Sequence, residues 1–395
     1  MTLKHNILKM YLLKGVLWFM VAMPIIVLFF QEHGLSLTEV MIIQAIYSLS
    51  VAVFEIPSGY IADLFGRKHT IVLSTIFSFS GYLVFSFFGG FYAFAAASIL
   101  VGIGGSLMSG SDSALLYDTL LETGDKKTYT KIEGRNYAIG NFSEATAGIL
   151  GGFLAVSSIY LPIYVQTGIL FLSIPIALTL VEPTMHEEDK IDRSFKAILG
   201  VVEFAMVENA KLRWLIIYSS AMGVATLAMA WFAQPFFKEV EIPLAYFGIL
   251  WAGLNFSAGL TSFNSHKFDK DESNTKMLLY LALAMATSFV FLGFNMSLFG
   301  IIFIVFIYLL RGIVTPILRN AINENTSSNK RATVLSIRSF IIRISFAICA
   351  PIFGYLADNY SLNITFYTLA IIVGVFSVLS AIRLNRLDNK ASFAS

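Results

Sequence analysis

The chain has 395 residues, of which 57% are hydrophobic and only 13% are charged. A soluble domain has about a quarter charged residues, and a soluble fold of this length buries only part of so large an apolar surface. The composition therefore excludes an ordinary soluble protein and predicts an integral membrane protein. The net charge of +2, without a run of Lys and Arg, argues against a nucleic-acid partner. The single cysteine, Cys349, excludes an intrachain disulfide.

Roughly twelve apolar stretches are long enough to cross a bilayer as helices. Lipid offers no hydrogen-bond partners, and the alternation typical of a β-barrel is absent, so an all-α membrane protein is expected. The first stretch follows basic residues without a small-residue cleavage site, which predicts a retained helix rather than a cleaved signal peptide. The predicted spans are 10–30, 38–60, 70–88, 91–118, 135–157, 160–181, 213–236, 244–264, 277–294, 297–320, 334–357 and 362–384.

Lys and Arg cluster at every second boundary between these spans, whereas the opposite boundaries carry only Lys238. By the positive-inside rule, both termini are predicted to be cytoplasmic, which requires an even number of spans. A multi-pass protein of this kind is expected in a bacterial inner (plasma) membrane.

A polar segment near the midpoint separates two predicted six-helix bundles, 1–181 and 213–395, with a cytoplasmic linker at 182–212. Two peptides in corresponding spans, GFLA at 152–155 and GYLA at 354–357, indicate that the halves are repeats. Helical spacing of apolar residues predicts an interfacial amphipathic helix in the linker, and an ordinary polar linker is the alternative. The apolar residues are Ile191, Phe195, Ile198, Leu199, Val202 and Met206.

The peptide GYIADLFGRKH at 59–69 places four charged or titratable side chains between the second and third spans. It resembles the signature loop of the major facilitator superfamily, G-x-x-x-D-x-x-G-R-[KR], at Gly59, Asp63, Gly66, Arg67 and Lys68. The resemblance implies twelve helices in two pseudo-symmetric bundles. It also implies that the loop is a conformational latch, a contact that holds the two halves together on the cytoplasmic side. In that role Asp63 contacts the start of the eleventh span, and Asp118 is the candidate partner of Arg67. Alternatively, Arg67 and Lys68 only set the topology.

Ionisable residues inside predicted spans are costly and are therefore functional candidates. Glu144, Asp112 and Glu55 are the candidate proton-coupling residues, since burial raises a carboxyl pKa towards neutrality. A structural ion pair or hydrogen bond is the alternative for each. Arg311 and Arg343 are expected either to neutralise these acids or to bind an anionic substrate. Further candidates for the substrate cavity are aromatic, Met and amide residues, namely Trp18, Met23, Trp231, Gln234, Trp251 and Asn255.

The fifth span contains Gly148, Gly151 and Gly152, which resemble the end of a motif found in drug:proton antiporters of the family, although the proline of that motif is missing. Tight helix packing is the alternative explanation of these glycines. The sequence has no nucleotide-binding motif, so the chain is predicted to be a secondary active transporter, which is driven by a gradient. The leading hypothesis is a proton-coupled exporter of amphipathic compounds. A proton-coupled carrier of an organic anion, such as a carboxylate metabolite or a siderophore, is the alternative.

A membrane-embedded lipid-modifying enzyme is a remote alternative, because the five histidines are scattered and show no metal-ligand spacing. We therefore expect no enzymatic activity, metal or cofactor. The expected partners are a small-molecule substrate, protons and the lipid bilayer, with the monomer as the working unit.

Overall fold

Helices make up nearly all the regular structure in residues 3–184, 200–265, 275–327 and 330–394, which the computed structural model describes. These residues contain no β-strand, as expected for backbone that must satisfy its hydrogen bonds within lipid. The first half comprises α1 (Asn6–Trp18), α2 (Ile26–Glu32), α3 (Leu37–Phe65), α4 (Arg67–Phe87), α5 (Phe91–Met108), α6 (Ser111–Glu122), α7 (Tyr129–Ser157) and α8 (Leu161–Leu178).

The second half begins after the central linker and contains longer, mostly unbroken helices. They are α9 (Ala210–Glu239), α10 (Phe247–Phe263), α11 (Thr275–Phe294), α12 (Gly300–Glu324), α13 (Arg331–Asn359) and α14 (Leu362–Ala394). The linker residues 185–199, which hold most of the predicted amphipathic helix, lie outside the described residues. A π-helical turn at Phe204–Glu208 leads into α9.

Eleven helical segments in the described part of the chain are long and apolar enough to cross a membrane. The first predicted span, 10–30, is the exception, because α1 ends at Trp18 and a turn at Met23–Ile25 precedes α2. Pro24 occupies this turn and lacks the N–H that a continuous helix would need. With this broken segment, the helices account for the number of spans predicted from the sequence.

The fourth predicted span, 91–118, is also interrupted. Helix α5 ends at Met108, and α6 starts after Gly110, whose φ of 80° lies in the left-handed region that glycine tolerates best. Breaks within spans are typical of transporters, where they leave backbone or side chains available inside the protein.

The chain divides into two compact units. The first comprises Met1–Leu35, Ile43–Lys190 and Pro243–Ala252, and the second comprises Ser36–Ile42, Ile191–Ile242 and Gly253–Ser395. Helices α3 and α10 therefore each contribute residues to both units.

Each unit has its own buried apolar cluster. In the first unit, α1, α4, α6 and the end of α8 meet at Met10, Leu13, Ile71, Leu115, Ala177 and Leu180. In the second unit, Phe366 of α14 lies 6.3–6.4 Å, between ring centroids, from Phe232, Phe236 and Phe289.

Candidate functional site

A cavity inside the second unit brings charged and hydroxyl side chains together with apolar ones. It has a volume of about 30 Å³ and lies between α9, α11, α12 and α13. Its lining residues are Ser219, Met222, Gly223, Thr226, Met285, Arg311, Val314, Thr315, Leu318 and Arg338. Arg311 is the one lining residue that the sequence analysis singled out for the cavity.

The charge of this cavity is positive. Arg338 donates a hydrogen bond from Nε to Oγ of Ser219, a side chain that is only 1% exposed. The guanidinium carbon of Arg311 lies 5.6 Å from the ring centroid of Tyr308. Arg319 is near enough to Arg338 for the two charges to repel each other. Within the described part of the chain, neither Arg311 nor Arg338 forms an ion pair with a carboxylate, and no acidic residue lines the cavity.

Two guanidinium groups and three hydroxyl groups form a donor-rich site. Guanidinium forks match the geometry of carboxylate and phosphate oxygens, and a positive charge without a counter-charge is costly away from water. The methionines and the aliphatic residues add an apolar wall. The arrangement is therefore suited to a ligand with an anionic group and an apolar body.

The hydroxyl residues of this cavity and Arg338 escaped the sequence analysis. They lie on three helices, α9, α12 and α13, so the sequence does not mark them as neighbours. Arg343 is half-buried on α13 but does not line the cavity, and its Nε has no hydrogen-bond partner in the described residues.

The motif loop between α3 and α4 is held by side chains of the first unit. Gly66 has a φ of 91°, and Arg67 begins α4. The Nε atom of Arg67 lies 2.5 Å from Oδ2 of Asp118, so the structure brings together the pair that the sequence suggested. Gly59 and Lys68 are half-buried, whereas the side chain of Asp63 lies outside the described part of the structure.

Glu182 is a member of this loop site that sequence reasoning missed. Its Oε1 accepts a hydrogen bond from the Arg67 N–H and its Oε2 accepts one from the Lys68 N–H, each at 2.7 Å. A carboxylate here accepts hydrogen bonds from two otherwise free N–H groups at the start of α4. Its negative charge is also stabilised by the positive end of the helix dipole. The signal was an acid immediately after the sixth span, in the peptide LVEP.

The three predicted proton-coupling acids lie apart along the first unit. Glu55 and Glu144 are half-buried in α3 and α7. Asp112, at the start of α6, forms an ion pair with Lys14 of α1, with Nζ 3.3 Å from Oδ2. Lys14 also lies over the ring of Trp18, 4.7 Å from its centroid. Lys14 was visible in the sequence as a basic residue inside the first predicted span, but its partner was not.

The other predicted cavity residues are dispersed. Trp18 and Met23 are half-buried at the two sides of the break in the first span. Trp231 is half-buried and Gln234 is buried in α9, while Asn255 is half-buried in α10. None of them lines the cavity of the second unit.

The glycines of the fifth span serve close packing within the first unit. A Cβ atom on Gly151 would lie 1.9 Å from the carbonyl oxygen of Val21, and one on Gly152 would lie 2.7 Å from the backbone nitrogen of Gly248. Gly148 lies beneath Trp251, whose Cδ1 would be 3.1 Å from an added Cβ. This geometry favours the packing explanation of these glycines.

The described residues hold no group of three or more His, Cys, Asp or Glu side chains that would bind a metal ion.

The family model of the Major Facilitator Superfamily matches residues 10–309. A relative, the uncharacterized MFS-type transporter YxaM of Bacillus subtilis (strain 168), is 23% identical over 382 residues, which cover 93% of this chain and 92% of the relative. Among solved structures, a variant of the nucleoside transporter NupG matches with a TM-score of 0.79 and 14% identity, covering 97% of this chain and 99% of that chain. A D-xylose-proton symporter matches with a TM-score of 0.69 and 15% identity, covering 96% of this chain and 97% of that chain. Since the family model covers well over half of the sequence, the chain belongs to the Major Facilitator Superfamily.

Proposed function

We propose that this secondary transporter carries a small amphipathic organic anion by alternating access, driven by a proton gradient. The observation that carries the proposal is the cavity in the second unit, which Arg311 and Arg338 both line and which no acidic side chain lines in the described part of the chain. A transporter keeps such costly charges inside a span when they meet a complementary charge on the substrate.

The walls of the cavity narrow the substrate class. In this conformation the cavity holds about 30 Å³, well below the roughly 300–1,000 Å³ typical of small-molecule sites, so a ligand of that class would enter only when the lining helices move apart. Met222 and Met285 are 3% and 0% exposed, and together with Val314 and Leu318 they offer apolar contacts beside the arginines. An inorganic anion would leave this apolar surface unused, so an organic acid or organic phosphate is favoured.

Export of amphipathic compounds in exchange for protons is the second candidate function. The methionine-lined wall supports an amphipathic substrate, because Met side chains adapt to ligands of varied shape. The glycines of the fifth span give less support to export, because close backbone packing at Gly151 and Gly152 explains why glycine is present there. Export therefore remains a prediction from the family resemblance.

The proposal is tested by comparing a small organic acid with its neutral amide, for example benzoate with benzamide, as ligands of the purified protein. We expect Arg311→Gln or Arg338→Gln to weaken binding of the acid about tenfold or more, because a hydrogen bond to a charged group contributes about 1.5–3 kcal/mol. Binding of the amide should change much less. Isothermal titration calorimetry gives both affinities.

Arg343→Gln is the matched control, since it removes an arginine from the same unit without changing the lining of the cavity. Equal losses for the acid and the amide, or an equal loss in the Arg343→Gln variant, would contradict the anion site.

A further inference from the structure

One face of α12 carries three exposed polar residues in successive turns of the helix. They are Arg311, Thr315 and Arg319, spaced four residues apart. Since successive residues turn by about 100°, this spacing places the three side chains on one side of the helix. Ile302 and Phe306, each 51% exposed, lie on the opposite side. The apolar side suits lipid, whereas the polar face needs different surroundings.

The polar face of α12 points into the second unit. Arg311 and Thr315 line its cavity, and the buried residues Tyr308 and Leu318 lie on the same side of the helix. A guanidinium group exposed to hydrocarbon is costly, so the exposed arginines on this face require water. The cavity is therefore connected to a water-accessible path along α12.

Arg319 lies on this path, outside the cavity. It is eight residues from Arg311, which is about 12 Å along the helix axis, and it lies five residues before the end of α12 at Glu324. Its guanidinium group forms no ion pair or hydrogen bond among the described residues. It is close enough to Arg338 for the two charges to repel each other. An anion between the two guanidinium groups would relieve this repulsion.

The acids of the neighbouring helices lie far from the polar face. Helices α9, α10, α11 and α13 pack against α12. They contain two acids, Glu239 in α9 and Asp358 in α13. Each acid is twenty residues, about 30 Å, beyond the cavity residue of its own helix, which is Ser219 in α9 and Arg338 in α13. Neither acid therefore compensates the charge of the arginines.

The charges nearer to the polar face are mostly basic. Glu324 ends α12, but it accepts a hydrogen bond from Asn320 at 2.8 Å and lies on the same side of the helix as Phe306. Lys211 is paired with Asp388 of α14. Other basic residues in the first half of the helices packed against α12 are Arg213, Lys276, Arg331 and Arg343. The polar face thus has a positive potential, which attracts anions.

We propose that Arg319 and Thr315 form an outer anion subsite, which receives the anionic group of the substrate on its way between the end of α12 and the cavity of Arg311 and Arg338. This inference rests on the proposed function and adds the route by which an organic anion reaches the cavity. Arg319 supplies the charge, and the hydroxyl group of Thr315, one turn further in, supplies a hydrogen-bond donor. The anionic group thereby finds a new partner at each turn of α12.

The test compares how fast two small thiol reagents of opposite charge, an anionic and a cationic methanethiosulfonate, modify a cysteine at position 315. Thr315→Cys is made in a Cys349→Ala background and purified in detergent. We expect the anionic reagent to react faster, and we expect Arg319→Gln to lower the ratio of the two rates about threefold or more. The reason is that a charge about 6 Å away along the helix acts on the two reagents in opposite directions. The ratio also cancels any change in the reactivity of the thiol itself.

Three control variants separate this subsite from a general surface effect. Arg386→Gln removes an exposed arginine from α14 in the same unit and should leave the ratio unchanged. Phe306→Cys, on the apolar side of α12, should react much more slowly with both reagents. Asn320→Cys, one turn from Glu324, should show no preference for the anionic reagent.

The outer subsite would be overturned if Thr315→Cys were unreactive, or if Arg319→Gln left its rate ratio unchanged. It would also be overturned if Arg386→Gln lowered the ratio equally, if Phe306→Cys reacted as fast as Thr315→Cys, or if Asn320→Cys showed the same anionic preference. The measurement needs no transport substrate. Failure of the outer subsite is therefore a separate result from failure of the acid-selective binding at Arg311 and Arg338.

Discussion

At the scale of single residues, two glycines make a matched pair that isolates the contribution of Glu182. Gly66 precedes α4 with φ 91° and ψ 158°, and Gly90 precedes α5 with φ 88° and ψ 166°. These dihedral angles are nearly unique to glycine, so alanine at either position should cost about 1–3 kcal/mol. The two positions differ in the space around an added Cβ atom. A Cβ on Gly66 would lie 2.8 Å from the carboxyl carbon of Glu182, whereas a Cβ on Gly90 would have nothing within 4 Å.

We therefore predict that Gly66→Ala lowers the thermal unfolding midpoint in detergent more than Gly90→Ala does. The extra loss, about 1–2 kcal/mol, corresponds to displacing the carboxylate from the N–H groups of Arg67 and Lys68. In a Glu182→Ala background, the two alanine variants should lose the same amount, because the displaced group is gone. Equal losses in the wild-type background would show that Glu182 contributes nothing to the loop.

At the scale of secondary-structure elements, backbone N–H groups at the start of α3 are hydrogen-bonded by a carboxylate that is distant in the sequence. Ser36 and Glu39 form a capping box, with Ser36 N–H donating to Oε2 of Glu39 at 2.9 Å and Glu39 N–H donating to Oγ of Ser36 at 3.2 Å. The N–H groups of Leu37 and Thr38 donate to Asp358, the carboxylate in the last turn of α13, at 2.9 and 2.7 Å.

Asp358→Ala should expose these two N–H groups and speed their hydrogen exchange about tenfold or more, because each charge-assisted bond contributes about 1.5–3 kcal/mol. Asp358→Asn keeps an acceptor and should have a smaller effect. Glu39→Gln is the control, since it alters the bond to Ser36 and leaves Asp358 in place. The exchange rates are measured by mass spectrometry on peptides covering 36–42. Unchanged rates in Asp358→Ala would contradict a stabilising role of Asp358 at the start of α3.

The elements that the sequence predicted correctly were those governed by local composition. Apolar runs of sufficient length marked the helices, because lipid leaves a spanning segment no alternative. The breaks at Pro24 and Gly110 were missed since an average of hydropathy over about 20 residues does not register a single turn. The pair Arg67 and Asp118 was predictable from the ends of two spans, whereas Glu182, Lys14 and Ser219 found partners that only tertiary packing brings close.

At the scale of the whole molecule, the distribution of Lys and Arg predicts which side of the membrane each helix end faces. Helix α7 is a convenient reporter, because Thr128 and Ser158 flank its two ends and both are exposed. Lys126 and Lys127 precede α7 and Lys131 lies in its first turn, whereas the other end of the helix has no basic residue nearby. The positive-inside rule places the Thr128 end in the cytoplasm.

We predict that a membrane-impermeant maleimide labels Ser158→Cys in intact cells and labels Thr128→Cys only after the membrane is opened. Both substitutions are made in a Cys349→Ala background, which removes the single native thiol and serves as the unlabelled control. Because the two sites bracket one 29-residue helix, about 43 Å long at 1.5 Å per residue, they cannot face the same side if α7 crosses the bilayer. Labelling of Thr128→Cys in intact cells would invert the predicted orientation, and equal labelling of both sites would mean that α7 does not span the membrane.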